Sequence, residues 1–249
     1  MKITVIAHIY NEEYLLPFWL EHHKKIFDHG IIINYNSTDK SMEIVRSICP
    51  TWQIIESRNN TFEPIGIDAE VMEIERSILD YKMALNVTEF LMITNDLHKL
   101  LSNTGQNNYP VSTVTALSEK NDYYPNSLKE LYNNFERINT NFRCPNKDVF
   151  RFLHSYETGK YHAGRHACDN PLSESLPIII IWFGCYPWNI DLINRKLQID
   201  TRVPDSDTGY VRWNKDKFEK FKNNLLTSNS ISISENELLL HSIKFMSDF

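Results

Sequence analysis

The segment EFLMITNDLHKLL, residues 89–101, runs four apolar side chains, Phe90 to Ile93, into Asn95-Asp96-Leu97-His98. The apolar run reads as a buried strand. Its end presents a carboxylate and an imidazole two residues apart. A plainer reading stands beside the chemical one: Asp96 starts a turn and His98 faces water. A second concentration of such groups is YHAGRHACD, with His162, Arg165, His166 and Asp169. On a helix, His162 and His166 would share one face at the i,i+4 spacing that holds zinc, but no third ligand with recognisable spacing follows.

The elements that position these residues alternate. KITVIAHI (2–9) is β-branched and apolar, a central strand. In EEYLLPFWLEHHKKIF, Leu15, Phe18, Trp19, His22 and Ile26 recur at helical spacing, with Pro17 acceptable only in a first turn. Gly30 ends that helix and IIIN makes a second strand. STDKSMEIVRSIC is a capped helix stopped by Pro50, and WQIIES a third strand. A helix over about 68–85 leads into Phe90–Ile93. This β-α-β-α-β-α-β order predicts a mostly parallel sheet covered by helices on both faces.

Ligands of such sheets bind outside the carboxyl ends of the strands. Three polar clusters are therefore expected on one edge: His8-Tyr10-Asn11, Asn34-Asn36-Asp39, and Asp96 with His98. The second half reads less regularly, with strands in PVSTVTAL, DVFRFLH and LPIIIIWF and helices in SLKELYNNF and PWNIDLINRKLQI. Two amphipathic segments, KDKFEKFKNNLL and ENELLLHSIKFM, close the chain around the polar connection TSNSISIS.

Composition excludes several classes. At 249 residues the chain is long enough for one sizeable core, and 42% hydrophobic with 23% charged residues is ordinary for a soluble globular protein. A net charge of −6 without a Lys/Arg run speaks against a nucleic-acid surface. Seven glycines, with neither GxGxxG nor GxxxxGK[ST], weaken the dinucleotide-binding and P-loop alternatives. The N-terminal apolar stretch is too short for a secretory signal, and no run approaches the ~18 apolar residues of a membrane helix. Scattered Cys49, Cys144, Cys168 and Cys185 form no CxxC pair, so reduced thiols in the cytoplasm are expected.

With AHIYNEE after the first strand, NYNSTDKS after the second, NDLHKLL, YHAGRH and WFGCYPWNIDLINRKLQIDTRVPDSD, the chain resembles a GT-A glycosyltransferase. The similarity is to the family 2-like group that includes enzymes of large DNA viruses, and it spans about residues 2–210. It implies an α/β, Rossmann-like fold with a mostly parallel central sheet flanked by helices and a C-terminal helical appendage. Residues 1–212 would form the transferase domain, with a donor half to about 101 and an acceptor half over 102–212. Residues 213–249 would be a helical extension packed on it. The implied activity is metal-dependent transfer of a sugar from a nucleoside diphosphate sugar, of the UDP-sugar kind, to a hydroxyl of a glycan or glycoprotein. The location would be cytoplasmic, the host's cytoplasm if the source is viral. A GT-A domain that has lost chemistry and only binds sugar nucleotide or glycan is the alternative.

The resemblance also assigns roles. His8 and Tyr10 would line the base pocket, and Asn36 and Asp39 would contact the nucleotide, Asp39 accepting an imide N–H of uracil. Asn36 and Asp39 can equally be an ordinary helix cap. The family's Asp-x-Asp is Asp-x-His here, so Asp96 and His98 would hold Mn²⁺, or Mg²⁺, against the diphosphate. Arg58 could reach a phosphate or be solvated at the surface, and Arg165 would sit on a loop that closes over the diphosphate. Trp182, Tyr186 and Trp188 would offer faces to the acceptor or be core. The inverting family members carry a catalytic base where this chain has Asn189, although Asp191, Leu192 and Arg195 match. An amide takes no proton at neutral pH, so Asp191 or the loop carboxylate Asp169 would have to substitute.

Overall fold

In the computed structural model, which describes residues 1–102, 107–140, 150–204 and 212–248, the apolar run Ile3–Ile9 is β1, buried at every residue except His8. Then follow α1 (Leu16–His23), β2 (His29–Asn34), α2 (Ser41–Ile48), β3 (Gln53–Glu56), α3 (Pro64–Glu75), β4 (Tyr81–Ala84), β5 (Glu89–Ile93) and α4 (Leu97–Ser102). The second half supplies β6 (Asn108–Leu117), α5 (Leu128–Asn133), β7 (Arg137–Asn139), β8 (Phe150–His154), β9 (Ile178–Trp182), α6 (Ile190–Leu197), α7 (Lys215–Thr227), β10 (Ser230–Ser232) and α8 (Glu237–Asp248). A 3-10 turn, Gln198–Arg202, follows α6 directly.

The strands order as β10-β7-β6-β8-β4-β1-β2-β3, and β9 pairs with both β5 and β6. β3, β2, β1 and β4 form the parallel block. β8 joins β4 antiparallel, and the long β6 continues from β8 and turns the sheet toward β7 and β9. The fold is thus α/β, a central parallel block flanked by helices. The tail is not purely helical: β10 extends β7 between α7 and α8, and α8 packs on β5 and β9. Among the described residues no helix is long and apolar enough to cross a membrane.

One expectation changes with consequence. The helix read over 68–85 ends at Glu75, and the fourth parallel strand is Tyr81–Ala84 rather than Phe90–Ile93. Arg76, Leu79, Lys82, Met83, Ala84 and Leu85 are good helix formers, so local propensity misleads; long-range contacts decide. Asp80 Oδ2 accepts the Lys2 amide at 3.0 Å, pinning the start of β4 beside the start of β1. Buried Lys82 turns back so that Nζ donates to the Ile78 carbonyl at 2.5 Å, satisfying backbone left over beyond the end of α3.

β5 then runs the opposite way. It is antiparallel to β9, which follows β6, and β6 is in turn antiparallel to β8 and so parallel to β4. Its backbone on the side away from β9 is met by α1: Trp19 Nε1 donates to Glu89 O (2.9 Å) and His22 Nε2 to Leu91 O (2.6 Å), while His23 Nε2 accepts from Leu91 N (3.2 Å). Two buried histidines and a tryptophan thereby close a strand edge. Tyr132 donates its hydroxyl to His22 Nδ1 at 2.5 Å, which completes the set.

Candidate functional site

The carboxyl ends of β1 and β2 carry two loops that are zipped together. Asn11 Oδ1 accepts from Thr38 N (2.7 Å), Glu12 N donates to Ser41 Oγ (2.8 Å), and Glu13 N donates to Asp39 Oδ2 (3.0 Å). Asn11 and Asn36 sit at positive φ, 49° and 53°, a region asparagine tolerates better than most residues. Asp39 Oδ1 also accepts from Ser41 N at 2.9 Å, a turn bond just before α2, whose N-cap is Lys40, so each Asp39 oxygen already accepts one backbone amide. Asn36 is exposed beside it. Above this pair of loops the Arg202 guanidinium lies 4.6 Å from the Tyr10 ring centroid and 5.1 Å from that of Tyr35.

Beside the loops a cleft of about 250 Å³ opens at the ends of β1 and β4. This is slightly below the ~300–1,000 Å³ usual for ligand sites. His8, Tyr10 and Glu12 come from β1 and its loop, Asp68 from α3, Asn86 and Thr88 from the turn after β4, and Glu89 from the start of β5. Arg151 is supplied by β8, Arg165 and His166 by the hairpin that follows, Trp182 by β9, and Arg195 and Lys196 by α6. Each carboxylate meets a guanidinium. Glu89 receives Arg151 bidentately (2.6 and 2.9 Å), Asp68 pairs with Arg165, and Glu12 Oε1 with Arg195 Nη1 at 2.8 Å. Lys196 lines the cleft as well, with its Nζ 4.9 Å from the Trp213 ring centroid, and Glu70 Oε2 lies 3.7 Å from His8 Nε2.

Burial shapes the protonation of this cleft. It holds the His8 imidazole down at about 4, helped by the charge of Arg165 and opposed by Glu70, so His8 is neutral near pH 7. Burial also raises the Glu12 carboxyl above its usual range, against the pull of Arg195. Its Oε2 is buried without a hydrogen-bond partner. The Glu89 carboxyl is held low because the Arg151 charge and hydrogen bonds outweigh its burial.

The structure separates residues that the sequence put on one edge. Because β5 runs back, Asp96 and His98 emerge at the amino end of β1, where His98 Nε2 lies 3.2 Å from Asp28 Oδ1. Asp28 Oδ2 in turn accepts the amide of Ile3, the first residue of β1. His8 and Tyr10 lie at the other end of that strand, roughly 20 Å away at ~3.3 Å per residue. Asp96 Oδ1 accepts Lys99 N at 2.9 Å, the bond of a helix cap opening α4. Its surroundings are Lys24, Lys25 and Asp28 rather than the cleft.

Other expected residues divide. Arg165 does join His8 and Tyr10 in the cleft, whereas Arg58 is exposed and paired with Glu73. Residues 161–168 form a hairpin bridge, Tyr161 with Cys168, so the helical His162/His166 face does not arise. His162 pairs instead with Asp169 on the exposed outer side (2.7 Å), and His166 Nδ1 accepts from Arg151 (2.9 Å). Trp182 lines the cleft and donates to Thr88 Oγ1 at 3.0 Å. Tyr186 is fully buried, ringed by Tyr123, Phe135 and Phe183. Trp188 is 7% exposed beneath Lys222 and borders a second, larger cavity of about 650 Å³ between α6 and α7. Asn189 caps α6 through Leu192 N and gives its amide protons to Tyr14 Oη and Tyr123 O. Asp191 is exposed in the first turn of α6 and lines neither cavity.

Sequence reasoning missed Glu12, Asp68, Asn86, Thr88, Glu89, Arg151 and Arg202. A signal existed for Glu12, which lies inside AHIYNEE, and for Arg202, inside QIDTRV. Asn86-Val87-Thr88-Glu89 became visible only once β4 was placed.

The resemblance places its metal-holding pair at Asp96 and His98; the strand that ends beside His8 and Tyr10 is β4, and the turn after it runs from Asn86 to Glu89. Its residues do not fit a divalent ion. Asn86 Oδ1 accepts from Arg165 Nη2 at 2.9 Å and Thr88 Oγ1 from the Trp182 indole. Both Glu89 oxygens are taken by Arg151 and Asn86. Mn²⁺ or Mg²⁺ needs anionic or unengaged oxygens, and here it would meet guanidinium. Among the described residues no group of three His, Cys, Asp or Glu side chains is arranged to hold a metal.

No family model matches the chain, and no curated protein matches it in sequence. Among solved structures it is similar to S. aureus TarS residues 1–349, with 10% identity and a TM-score of 0.42 over 91% of this chain and 71% of that one. The same protein in complex with UDP-GlcNAc gives a TM-score of 0.38 at 10% identity, over 91% and 72%. Glucosyl-3-phosphoglycerate synthase from Mycobacterium tuberculosis, in complex with Mn²⁺, UDP and glucosyl-3-phosphoglycerate, gives 0.33 at 12% identity over 46% of this chain. The chain spans 44% of that synthase.

Proposed function

We propose that the protein is a glycosyltransferase of GT-A type. It would bind a nucleoside diphosphate sugar at the carboxyl edge of β4, β1 and β2, and transfer the sugar to a hydroxyl of a glycan or glycoprotein. The observation that carries this reading is the cleft: an Arg-rich recess opening beside the zipped loops at the ends of parallel strands. Uridine is the base of this proposal, with Asp39 accepting its imide N–H and Asn36 and Tyr10 beside it. Trp182 is the acceptor-side aromatic, and Trp188 belongs to the second cavity. The finer expectation, Mn²⁺ held by Asp96 and His98, gains no support from residues at the far end of β1.

Transfer to a hydroxyl needs a group to take its proton. Asp191 and Asp169 are the candidates the sequence offers and Glu12 the one the cleft adds; Asp169 is exposed and paired with His162. Asp191 matches the family motif but lies outside the cleft. Glu12 lines it, and one of its carboxylate oxygens has no hydrogen-bond partner. A second reading, a sugar-nucleotide binding module, is favoured by Asn189, whose amide is spent on capping and on Tyr14. Incubation with a panel of UDP-, GDP- and dTDP-sugars, read as release of free nucleoside diphosphate, separates the two. A transferase releases UDP from one donor. Stabilisation of the fold by UDP with no release from any donor supports the module, and no response to any nucleotide ends both.

A further inference from the structure

We infer that this cleft binds its diphosphate without a divalent cation, the charge being met by Arg165 and Arg195 with Lys196. The inference rests on the donor site proposed above and specifies how that site handles charge. A diphosphate next to a departing sugar must have its negative charge balanced, by a metal or by fixed cations. At the turn after β4 the chemistry is that of an anion site. Where a metal would need acceptor oxygens, Asn86 Oδ1 is filled by a guanidinium and Thr88 Oγ1 by an indole N–H.

Arg165 is placed for this at some cost. It sits at φ 57°, a left-handed conformation that non-glycine residues rarely adopt, and is 5% exposed. Asp68 holds it from two directions, pairing with its Nη1 and accepting the Gly164 amide at 2.6 Å. Its Nε, like that of Arg195, is buried with no hydrogen-bond partner. Two guanidiniums that line one cleft thus each retain an unused donor. An incoming phosphate supplies the acceptor oxygens that both lack. The one carboxylate oxygen left over, Glu12 Oε2, stands beside Arg195 and cannot by itself coordinate a hard cation that takes six or more oxygens.

The test is calorimetric titration of the full chain with UDP, once with Mn²⁺ present and once with excess EDTA. The expected result is the same affinity in both, within about twofold. The double variant Arg165→Gln/Asp68→Asn removes both buried charges together, so neither is stranded. It should weaken UDP about tenfold or more, on the scale of lost hydrogen bonds to a charged group. Lys196→Gln, a half-exposed change that leaves the core alone, should weaken UDP by a smaller factor and more so at low salt. UDP binding seen only with Mn²⁺ overturns the inference while leaving the donor site standing. Binding in neither condition overturns the donor site and this inference with it. If the double variant does not fold, equal affinity of wild type and Lys196→Gln at low salt overturns the role of the cations.

Discussion

Replacing Asp96 by alanine separates the two ends of the sheet. On the sequence-based expectation the change removes a metal ligand and most turnover. On the structure it removes a cap. Asp96 Oδ1 accepts one backbone amide, Lys99 N, at 2.9 Å, and its backbone oxygen accepts Leu100 N at 3.1 Å, a bond that survives in alanine. The loss is therefore one capping hydrogen bond at a partly exposed helix start, ~1 kcal/mol. For a chain of this size that is a fall in Tm of about 2–4 °C. UDP affinity should be unchanged, because the cleft lies at the other end of β1. Thermal unfolding and UDP titration on the same preparation supply both numbers. A variant that keeps its Tm but loses UDP binding or turnover would refute this placement of the site.

Three further outcomes are expected. Burial keeps His22 neutral, its pKa down at about 4, while the unfolded chain takes up a proton below about 6.5. Stability is then intact above about pH 6.5 and falls as pH drops toward 4, by at most about 3 kcal/mol for this group. His22→Gln should flatten the pH dependence of Tm between those limits, and an unchanged slope contradicts the assignment. Glu12→Gln should cut turnover by ~10²-fold or more with donor affinity nearly kept, if Glu12 is the base. The same loss in Asp191→Asn with Glu12→Gln active assigns the base to Asp191 instead. Arg151→Met alone should cost ~3–5 kcal/mol by stranding buried Glu89, and adding Glu89→Gln should recover much of it in chemical denaturation. Equal stabilities of the single and double variants would show that the pair is uncoupled.

Much of the first half was legible because its strands are apolar runs bounded by strong breakers. Gly30 and Pro50 punctuate the chain where β2 begins and α2 has ended. The loops after β1 and β2 carry their polar residues at the expected edge because the direction of β1 and β2 follows from the βαβ rule. β4 was hidden: Tyr81-Lys82-Met83-Ala84 has no turn signal before it, and its strand state depends on Lys2, Asp80 and β1. Losing β4 moved the strand end by about ten residues and reversed its direction, which carried Asp96 and His98 to the wrong edge. Glu89 and Arg151 were illegible for another reason. Each is a charge inside an apolar strand, and only their contact across the sheet reveals a pair. Arg165 was legible as a cation in a His-rich loop, but its partner Asp68 lies 97 residues away in sequence.

The central claim is that the donor sits at the carboxyl edge of β4-β1-β2, and a crystal structure of the full chain with UDP tests it most directly. The account predicts a diphosphate within hydrogen-bond distance of Arg165 or Arg195, with the uracil near Asp39. A diphosphate bound instead beside Asp96, His98, Lys24 and Lys25, at the amino end of β1, contradicts it.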